Sequence, residues 1–140
     1  MPYEFFSHTG DIGLRVWGQS LEDLMQSAVL ALTDAVVEPT SVRAVNEEVV
    51  TCRAAAPDLL LRDFLSELVY RFDVRGRLVK TARVAISREH DEWTLEATTW
   101  GETLDTERHP VRVLVKGVTY HQLSVRQTPE GWQGTVILDI

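Results

Sequence analysis

The chain has 140 residues, a formal net charge of −7 and a sequence pI near 5.0. This length is typical of one domain, so we expect a single domain over residues 1–140 that buries a core without disulfides or metals. Its 14 Lys and Arg residues are scattered among 21 Asp and Glu residues. This disfavours direct nucleic-acid binding, because such binding needs clustered cations that displace counterions from phosphates.

Composition also indicates the compartment. The sequence contains no run of about 18 apolar residues, so it predicts no membrane span. The start of the chain lacks the basic and apolar blocks of a signal peptide. Cys52 is the single cysteine, which excludes an intramolecular disulfide and favours a reducing environment. Its apolar, strand-like surroundings indicate a buried, unreactive thiol. We therefore expect a cytoplasmic protein without membrane contact, and nothing in the sequence requires more than a monomer.

The first half of the chain alternates strands and helices. Residues 12–17 have the two-residue period of a half-buried strand. Ser20 is a suitable N-cap for a first helix, whose apolar positions recur every three or four residues and which Pro39 ends. Residues 46–55 predict a second strand. Pro57, in a first helical turn, begins a second helix that ends near Gly76.

The second half predicts strands. Residues 82–97 predict a hairpin, residues 100–110 a polar connection, and the alternating valines of residues 111–115 another strand. Residues 123–140 predict a second hairpin through a turn at residues 128–131. The order strand, helix, strand, helix and then strands predicts an α+β fold, with two helices packed on a mixed, largely antiparallel β-sheet.

Residues 7–13, Ser-His-Thr-Gly-Asp-Ile-Gly, concentrate polar chemistry just before the first predicted strand. Glycine lets the backbone pass close to a ligand. Gly10 and Gly13 could therefore bring backbone groups and the Asp11 carboxylate to one bound ion. The alternative is a polar turn in which Asp11 holds a backbone amide, and residue types alone favour that alternative.

The other end of the chain carries an acid, Asp139, in an apolar stretch. If Ile140 is the natural end, its carboxylate lies beside Asp139, and burying either group requires a cation or hydrogen bonds. Ca²⁺ and Mg²⁺ bind carboxylate and carbonyl oxygens, so such an ion could satisfy both groups. Asp11 would be a third contributor if the first and last strands are neighbours, which the residue pattern leaves open. An exposed Asp139 at a frayed end is the alternative.

Four further side chains are candidates for chemistry. His8, His109 and His121 could act as metal ligands or general bases, although a lone histidine is more often a packed or surface residue. Lys116 could bind a phosphate or a carboxylate, or it could protect a strand edge. The sequence contains none of the common nucleotide-binding, hydrolase or zinc-protease motifs.

Four separated motifs resemble the archease family and together cover essentially the whole chain. Residues 7–16 and 20–24 resemble its amino-terminal signature, which usually reads His-Thr-Ala-Asp-Ile-Gly, so Gly10 replaces an alanine. Residues 63–73 resemble its second helix. Residues 116–121, Lys-Gly-Val-Thr-Tyr-His, resemble its Lys-Ala-Val-Thr-Tyr-His strand, and residues 131–140 resemble its last strand.

The resemblance implies a small protein that is not an enzyme but assists an RtcB-type RNA ligase in tRNA splicing or RNA repair. That ligase uses GTP and Mn²⁺, and archeases promote guanylylation of its histidine and multiple turnover. RNA contact is then indirect, through the ligase. By motif, Asp11, Asp139 and Ile140 are expected to bind a divalent metal, commonly Ca²⁺ with Mg²⁺ or Mn²⁺ as alternatives, and His8 and Lys116 to support the site.

Two other functions remain open at this stage. The first is a stand-alone metal-dependent phosphoesterase that acts through Asp11, Asp139 and His8. The second is a chaperone-like interaction module with no role for a metal.

Overall fold

A computed structural model describes residues 2–140. The elements are β1 (Tyr3–His8), β2 (Asp11–Gly18), α1 (Leu21–Val36), β3 (Asn46–Ala54), α2 (Pro57–Arg75), β4 (Arg77–Glu89), β5 (Glu92–Thr103), β6 (Gly117–Val118), β7 (Ser124–Thr128) and β8 (Gly131–Asp139), with a 3₁₀ turn at Pro39–Ser41.

The strands form two sheets. The first has the order β1-β2-β8-β6, with β7 also paired to β8, and the second has the order β3-β5-β4. Within the described residues every strand pairing is antiparallel. The predicted α+β fold with two helices on a largely antiparallel sheet is confirmed, and the structure adds the division of the strands into two sheets.

Each helix packs against both sheets. Helix α1 contacts β2 of the first sheet and β4 of the second, and α2 contacts β6 as well as β3 and β4. Burial on α1 therefore extends beyond the predicted stripe to the polar residues Ser27 and Thr33. The Thr33 hydroxyl donates a hydrogen bond of 2.7 Å to the carbonyl of Val79 in β4. The core thus lies between the sheets, around the helices.

The helix ends follow the local sequence signals. The Ser20 side chain accepts a hydrogen bond of 3.1 Å from the backbone N–H of Asp23, as an N-cap does. Pro57 lies in the first turn of α2, where its missing N–H leaves no bond unmade. Gly76 takes the left-handed conformation (φ 67°) that ends this helix.

Three strand predictions need correction. The strand predicted over residues 111–115 is wrong, because that segment is extended but unpaired. Within this segment the N–H of Arg112 donates to the Val36 carbonyl at 2.7 Å, and directly after it the N–H of Lys116 donates to the Asp139 carbonyl at 2.7 Å. Strand β5 continues to Thr103, into the predicted polar connection, and β1 was not predicted.

Two further properties concern the helices and the single cysteine. Among residues 2–140, no helix is long and apolar enough to cross a membrane. Cys52 lies half-buried in β3, where burial, reinforced by the charges of Asp63 and Glu67, raises the pKa of its thiol to about 11. The thiol is therefore protonated at neutral pH, which agrees with the unreactive cysteine expected from the sequence.

Candidate functional site

The two acids from opposite ends of the sequence lie directly opposite each other. Asp11 is the first residue of β2 and Asp139 is the last residue of β8, and the two are cross-strand partners. Partners in an antiparallel pair point to the same face of the sheet, with their Cβ atoms about 5 Å apart. Strand β2, which contains the first strand predicted from the sequence, and the last strand, β8, are therefore neighbours, which the sequence left open.

The row of partners continues on both sides of the acidic pair. His8 of β1 is the partner of Asp11, and Gly117 of β6 is the partner of Asp139. The His8 Nδ1 atom lies 3.4 Å from the Asp11 Oδ2 atom, and both side chains are about a quarter exposed (26% and 24%). Because β1 and β2 are joined by a two-residue turn, Gly10 takes a positive φ of 73°, which glycine adopts readily.

Lys116 and Ile140 also lie next to Asp139. The backbone N–H of Lys116 donates to the Asp139 carbonyl at 2.7 Å, while the lysine side chain is exposed. Ile140 follows β8 directly and is partly buried against the core. Both residues thus border the acidic pair through the backbone.

His121, a candidate that the sequence could not place, lies at the same end of the sheet. Its ring contacts the His8 ring edge-on, with centroids 5.2 Å apart and planes at 64°. The loop that carries it is held by Arg62 of α2, whose Nε–H donates to the Val118 carbonyl at 3.1 Å and whose guanidinium covers the Tyr120 ring at 4.4 Å. Sequence reasoning missed Arg62, because a charged residue on the flank of a helix carries no distinctive signal.

His109, in contrast, belongs to a different, buried network. The backbone N–H of Asp105 donates to its Nδ1 at 2.9 Å, so Nε2 carries the proton and donates to Glu102 at 2.9 Å. Glu102 also accepts from the backbone N–H of Arg43 at 2.7 Å and from the Arg108 guanidinium. Burial alone would raise the pKa of Glu102, but these hydrogen bonds outweigh it and hold that pKa at about 2. His109 therefore anchors the loop after β5.

The acidic pair borders an apolar row on the same face. Phe6, Gly13 and Ile137 form the next row of cross-strand partners, and the Phe6 ring occupies the space above Gly13. Ile137 is buried. A cleft of about 370 Å³ opens beside Asp11, between β1 and the end of α1. The Arg112 guanidinium at this cleft pairs with Asp34 and Glu38 rather than with Asp11.

The chemistry of the acidic pair fits a hard cation. Like charges directly opposite each other in a sheet repel, and the imidazole of His8 lies beside the pair, 3.4 Å from the Asp11 carboxylate. Carboxylate oxygens are what Ca²⁺, Mg²⁺ and Mn²⁺ prefer. Among residues 2–140, however, no three His, Cys, Asp or Glu side chains converge closely enough to hold a metal ion. Further donors would thus have to be backbone oxygens, waters or a side chain that turns toward the pair.

The fold belongs to a class of small α+β proteins in which two helices pack against two antiparallel sheets. The solution structure of protein 1598 from Methanobacterium thermoautotrophicum has this fold: it shares 30% identity, covers 99% of both chains and superposes with a TM-score of 0.85. The crystal structure of an archease, possible chaperone, from Thermotoga maritima superposes with a TM-score of 0.60 over 96% of this chain and 94% of that one. At 18% identity, this second likeness concerns the fold alone.

The sequence comparisons identify the family. Residues 3–140 match the Archease protein family (MTH1598/TM1083). Protein archease of Pyrococcus abyssi is 34% identical over 141 residues, covering 99% of this chain and 98% of the relative. Protein archease of Methanopyrus kandleri is 34% identical over 142 residues, covering both chains completely. The chain belongs to the archease family, and the resemblance inferred from its four motifs is confirmed.

Proposed function

We propose that this chain is a non-catalytic cytoplasmic activator of an RtcB-type RNA ligase, which it helps to become guanylylated and to turn over repeatedly in tRNA splicing or RNA repair. The observation that carries the proposal is the cross-strand pairing of Asp11 with Asp139, in a chain that matches the archease family over residues 3–140. The pairing places two carboxylates on one exposed end of the first sheet, where another protein can reach them.

In this proposal a divalent metal, Ca²⁺ or alternatively Mg²⁺ or Mn²⁺, binds between Asp11 and Asp139, with backbone oxygens at Ile140 as further donors. When bound, the metal supplies a positive charge that two facing carboxylates would otherwise lack. His8 holds the Asp11 side of the site, since it is the cross-strand partner of that residue. The Lys116 N–H fixes the Asp139 backbone, and the exposed Lys116 amine is available to the partner.

The charge of the chain supports a protein partner rather than RNA itself. A net charge of −7 repels phosphates but favours docking on a ligase with a basic RNA channel, because complementary charge accelerates encounter and orients the complex. RNA is then contacted indirectly, through the ligase.

The test is a ligation assay with a cognate ligase at limiting concentration, excess RNA bearing 2′,3′-cyclic-phosphate and 5′-hydroxyl ends, GTP and Mn²⁺. The chain is added as wild type, Asp11→Asn, Asp139→Asn or the control Glu130→Gln, which removes one charge at the opposite end of β8. We expect multiple turnover with wild type and Glu130→Gln, and about one turnover per ligase with either Asp variant. Circular dichroism of each variant verifies that it is folded.

The other outcomes separate the alternatives. Equal turnover in all reactions, including ligase alone, would refute the activator function. Full activation by both folded Asp variants would instead support a chaperone-like module that uses no metal. Hydrolysis of phosphoesters by the isolated chain, lost in Asp11→Asn, would favour a stand-alone phosphoesterase.

A further inference from the structure

We propose that the free edge of β1, together with the acidic cleft beside it, binds an extended segment of another protein that carries Lys or Arg side chains. The segment adds one more strand to the first sheet. In this mode of recognition backbone hydrogen bonds supply affinity, and pockets for alternate side chains supply specificity. The inference goes beyond the proposed function, since it uses neither the metal nor the ligase, and its failure would leave that function untouched.

The first observation is that alternate residues of β1 point their backbone groups away from β2. The N–H of Trp17 donates to the Pro2 carbonyl at 2.9 Å, so this row of partners is hydrogen-bonded. Bonded and non-bonded rows alternate along an antiparallel pair. The bonded rows therefore fall on the even-numbered residues of β1, and the N–H and C=O groups of Phe5 and Ser7 lie on the outer edge.

This outer edge is open. Strand β1 stands at the end of the order β1-β2-β8-β6, and across residues 2–140 no turn or loop bonds to the backbone of Phe5 or Ser7. Both residues are exposed. Lysines, prolines and bulges are what usually protect a free edge from a further strand, and residues 3–8 contain none of them. The edge is therefore able to pair with another extended chain.

The second observation is the cleft that such a strand borders. The side chains of Tyr3, Phe5 and Ser7 share one face of β1. The Tyr3 hydroxyl donates to Asp34 of α1 at 2.9 Å, so this face is turned toward α1. The cleft of about 370 Å³ lies here, and Phe5, which is 43% exposed, forms part of its wall. A strand added to the edge thus directs every second side chain toward the cleft and the Phe5 ring.

The third observation is the charge of the cleft. Asp11, Asp34 and Arg112 line it, and Arg112 is also paired with Glu38. Counting histidine as neutral, three carboxylates accompany one guanidinium, which leaves an excess of negative charge. The Asp34 oxygens each accept one bond, from Tyr3 and from Arg112, and each keeps a second lone pair for a further donor. A Lys or Arg side chain supplies that donor and the missing positive charge.

The same charges disfavour a second copy of this chain as the occupant. Two copies paired through β1 bring two acidic clefts together, and each copy has a net charge of −7. Like charges brought together at an interface disfavour association. A basic segment is instead attracted to the edge before any backbone bond forms, because the charge of the whole protein steers the encounter.

The probe is a synthetic peptide, acetyl-Lys-Val-Lys-Val-Lys-Val-amide, with a charge control in which Glu replaces each Lys. Ser7→Pro removes an edge N–H and places a ring there, but it breaks no bond to β2, and proline is tolerated on edge strands. Ser7→Ala keeps the N–H and is its matched control. Asp34→Asn removes one charge from the cleft, and Asp91→Asn makes the same change in the exposed β4–β5 turn.

The experiment measures peptide binding by calorimetry and amide hydrogen exchange by NMR. We expect the Lys peptide to bind at least about tenfold more tightly than the Glu peptide. Saturating Lys peptide should slow exchange of the Phe5 and Ser7 N–H groups about tenfold or more, and exchange of the N–H groups already bonded to β2 less than about twofold. Ser7→Pro should weaken binding about tenfold and Asp34→Asn about threefold, whereas Ser7→Ala and Asp91→Asn should bind as wild type.

The inference is overturned if neither peptide binds, or if both bind equally. Binding that leaves exchange at Phe5 and Ser7 unchanged would overturn it too, because the peptide would then lie elsewhere. So would a folded Ser7→Pro protein that binds the Lys peptide as wild type does. If the chain alone self-associates in sedimentation and the same two N–H groups become protected, the edge belongs to a second copy and the inference fails.

Discussion

Replacing Asp139 by Asn should have opposite effects on stability in the absence and in the presence of a metal. The two carboxylates of the Asp11–Asp139 pair face each other on one side of the sheet, so they repel when no cation lies between them. Asn has nearly the same shape and no charge. Asp139→Asn should therefore stabilise the metal-free protein and abolish the stabilisation that a metal provides.

The size of both effects can be worked out from the geometry. Two unit charges about 5 Å apart at an exposed site interact by about 0.8 kcal/mol, taking the dielectric constant of water. For a chain of 140 residues the entropy of unfolding is about 0.3 kcal/mol/K, so this repulsion corresponds to about 3 °C in Tm. A metal at 100 times its Kd stabilises by about 2.7 kcal/mol, or about 9 °C.

The assay is calorimetric unfolding of wild type, Asp139→Asn and the control Glu130→Gln, each in chelator and in saturating Ca²⁺ or Mn²⁺. Wild type should gain about 9 °C from the metal, and Asp139→Asn should begin about 3 °C higher and gain almost nothing. Glu130→Gln should behave as wild type, because Glu130 lies in the turn before β8. An Asp139→Asn protein with an unchanged metal-free Tm and a full metal response would refute the reasoning.

Three further predictions concern the supporting structure. The pKa of Glu102 is depressed from 4.5 to about 2, so the contribution of this carboxylate to stability is present above about pH 4.5 and is lost as the pH falls toward 2. Urea unfolding should show that Glu102→Gln lowers the free energy of unfolding by about 1–3 kcal/mol at pH 7 and by less at pH 3. His109→Phe should cost about 2 kcal/mol in the same assay, because it removes a partner of Glu102, while metal affinity stays unchanged. Gly10→Ala should cost about 1 kcal/mol in the same assay, since φ is 73° there.

The features that the sequence predicted well are those with a local cause. Ser20, Pro57 and the left-handed Gly76 act on the backbone within a few residues of themselves, and they mark the start of α1, the start of α2 and the end of α2. The turns of the two predicted hairpins are local in the same sense, and both hairpins are present. The apolar stripe of α1 predicted too little burial for this helix, because a periodic stripe cannot show that a second sheet covers the other side.

The wrong strand shows the limit of the same reasoning. Residues 111–115 do alternate between inward and outward positions, since Val115 is buried and Leu114 is exposed. Alternation reports that a backbone is extended with one face inward, but pairing depends on whether another strand lies alongside. Here Arg112 bonds to Val36 at the end of α1, and Lys116, which directly follows the segment, bonds to Asp139; no property of these residues reveals the two partners.

The candidate site was predicted partly by chemistry and mainly by resemblance. Residue types identified Asp11, Asp139 and His8 as groups worth placing, but they left the acids equally compatible with exposed, unrelated positions. The pairing of β2 with β8 places the two acids opposite each other, and this pairing is a contact between residues far apart in sequence. The register follows from burial, because Leu14 and Val136 must face the core together, which turns Asp11 and Asp139 to the other face.

Because it depends on long-range strand pairing, the acidic pair of Asp11 and Asp139 forms only in the completed first sheet. Strand β8 lies between β2 and β6, so Asp139 meets Asp11 only when the two ends of the chain have come together. The unfolded chain cannot bring the two carboxylates to one ion, so a metal that binds them binds the native state and stabilises it. If the proposed metal binds there, a partner that recognises the metal-loaded end recognises a fully folded chain, and Asp139→Asn should weaken this recognition while it leaves the fold intact.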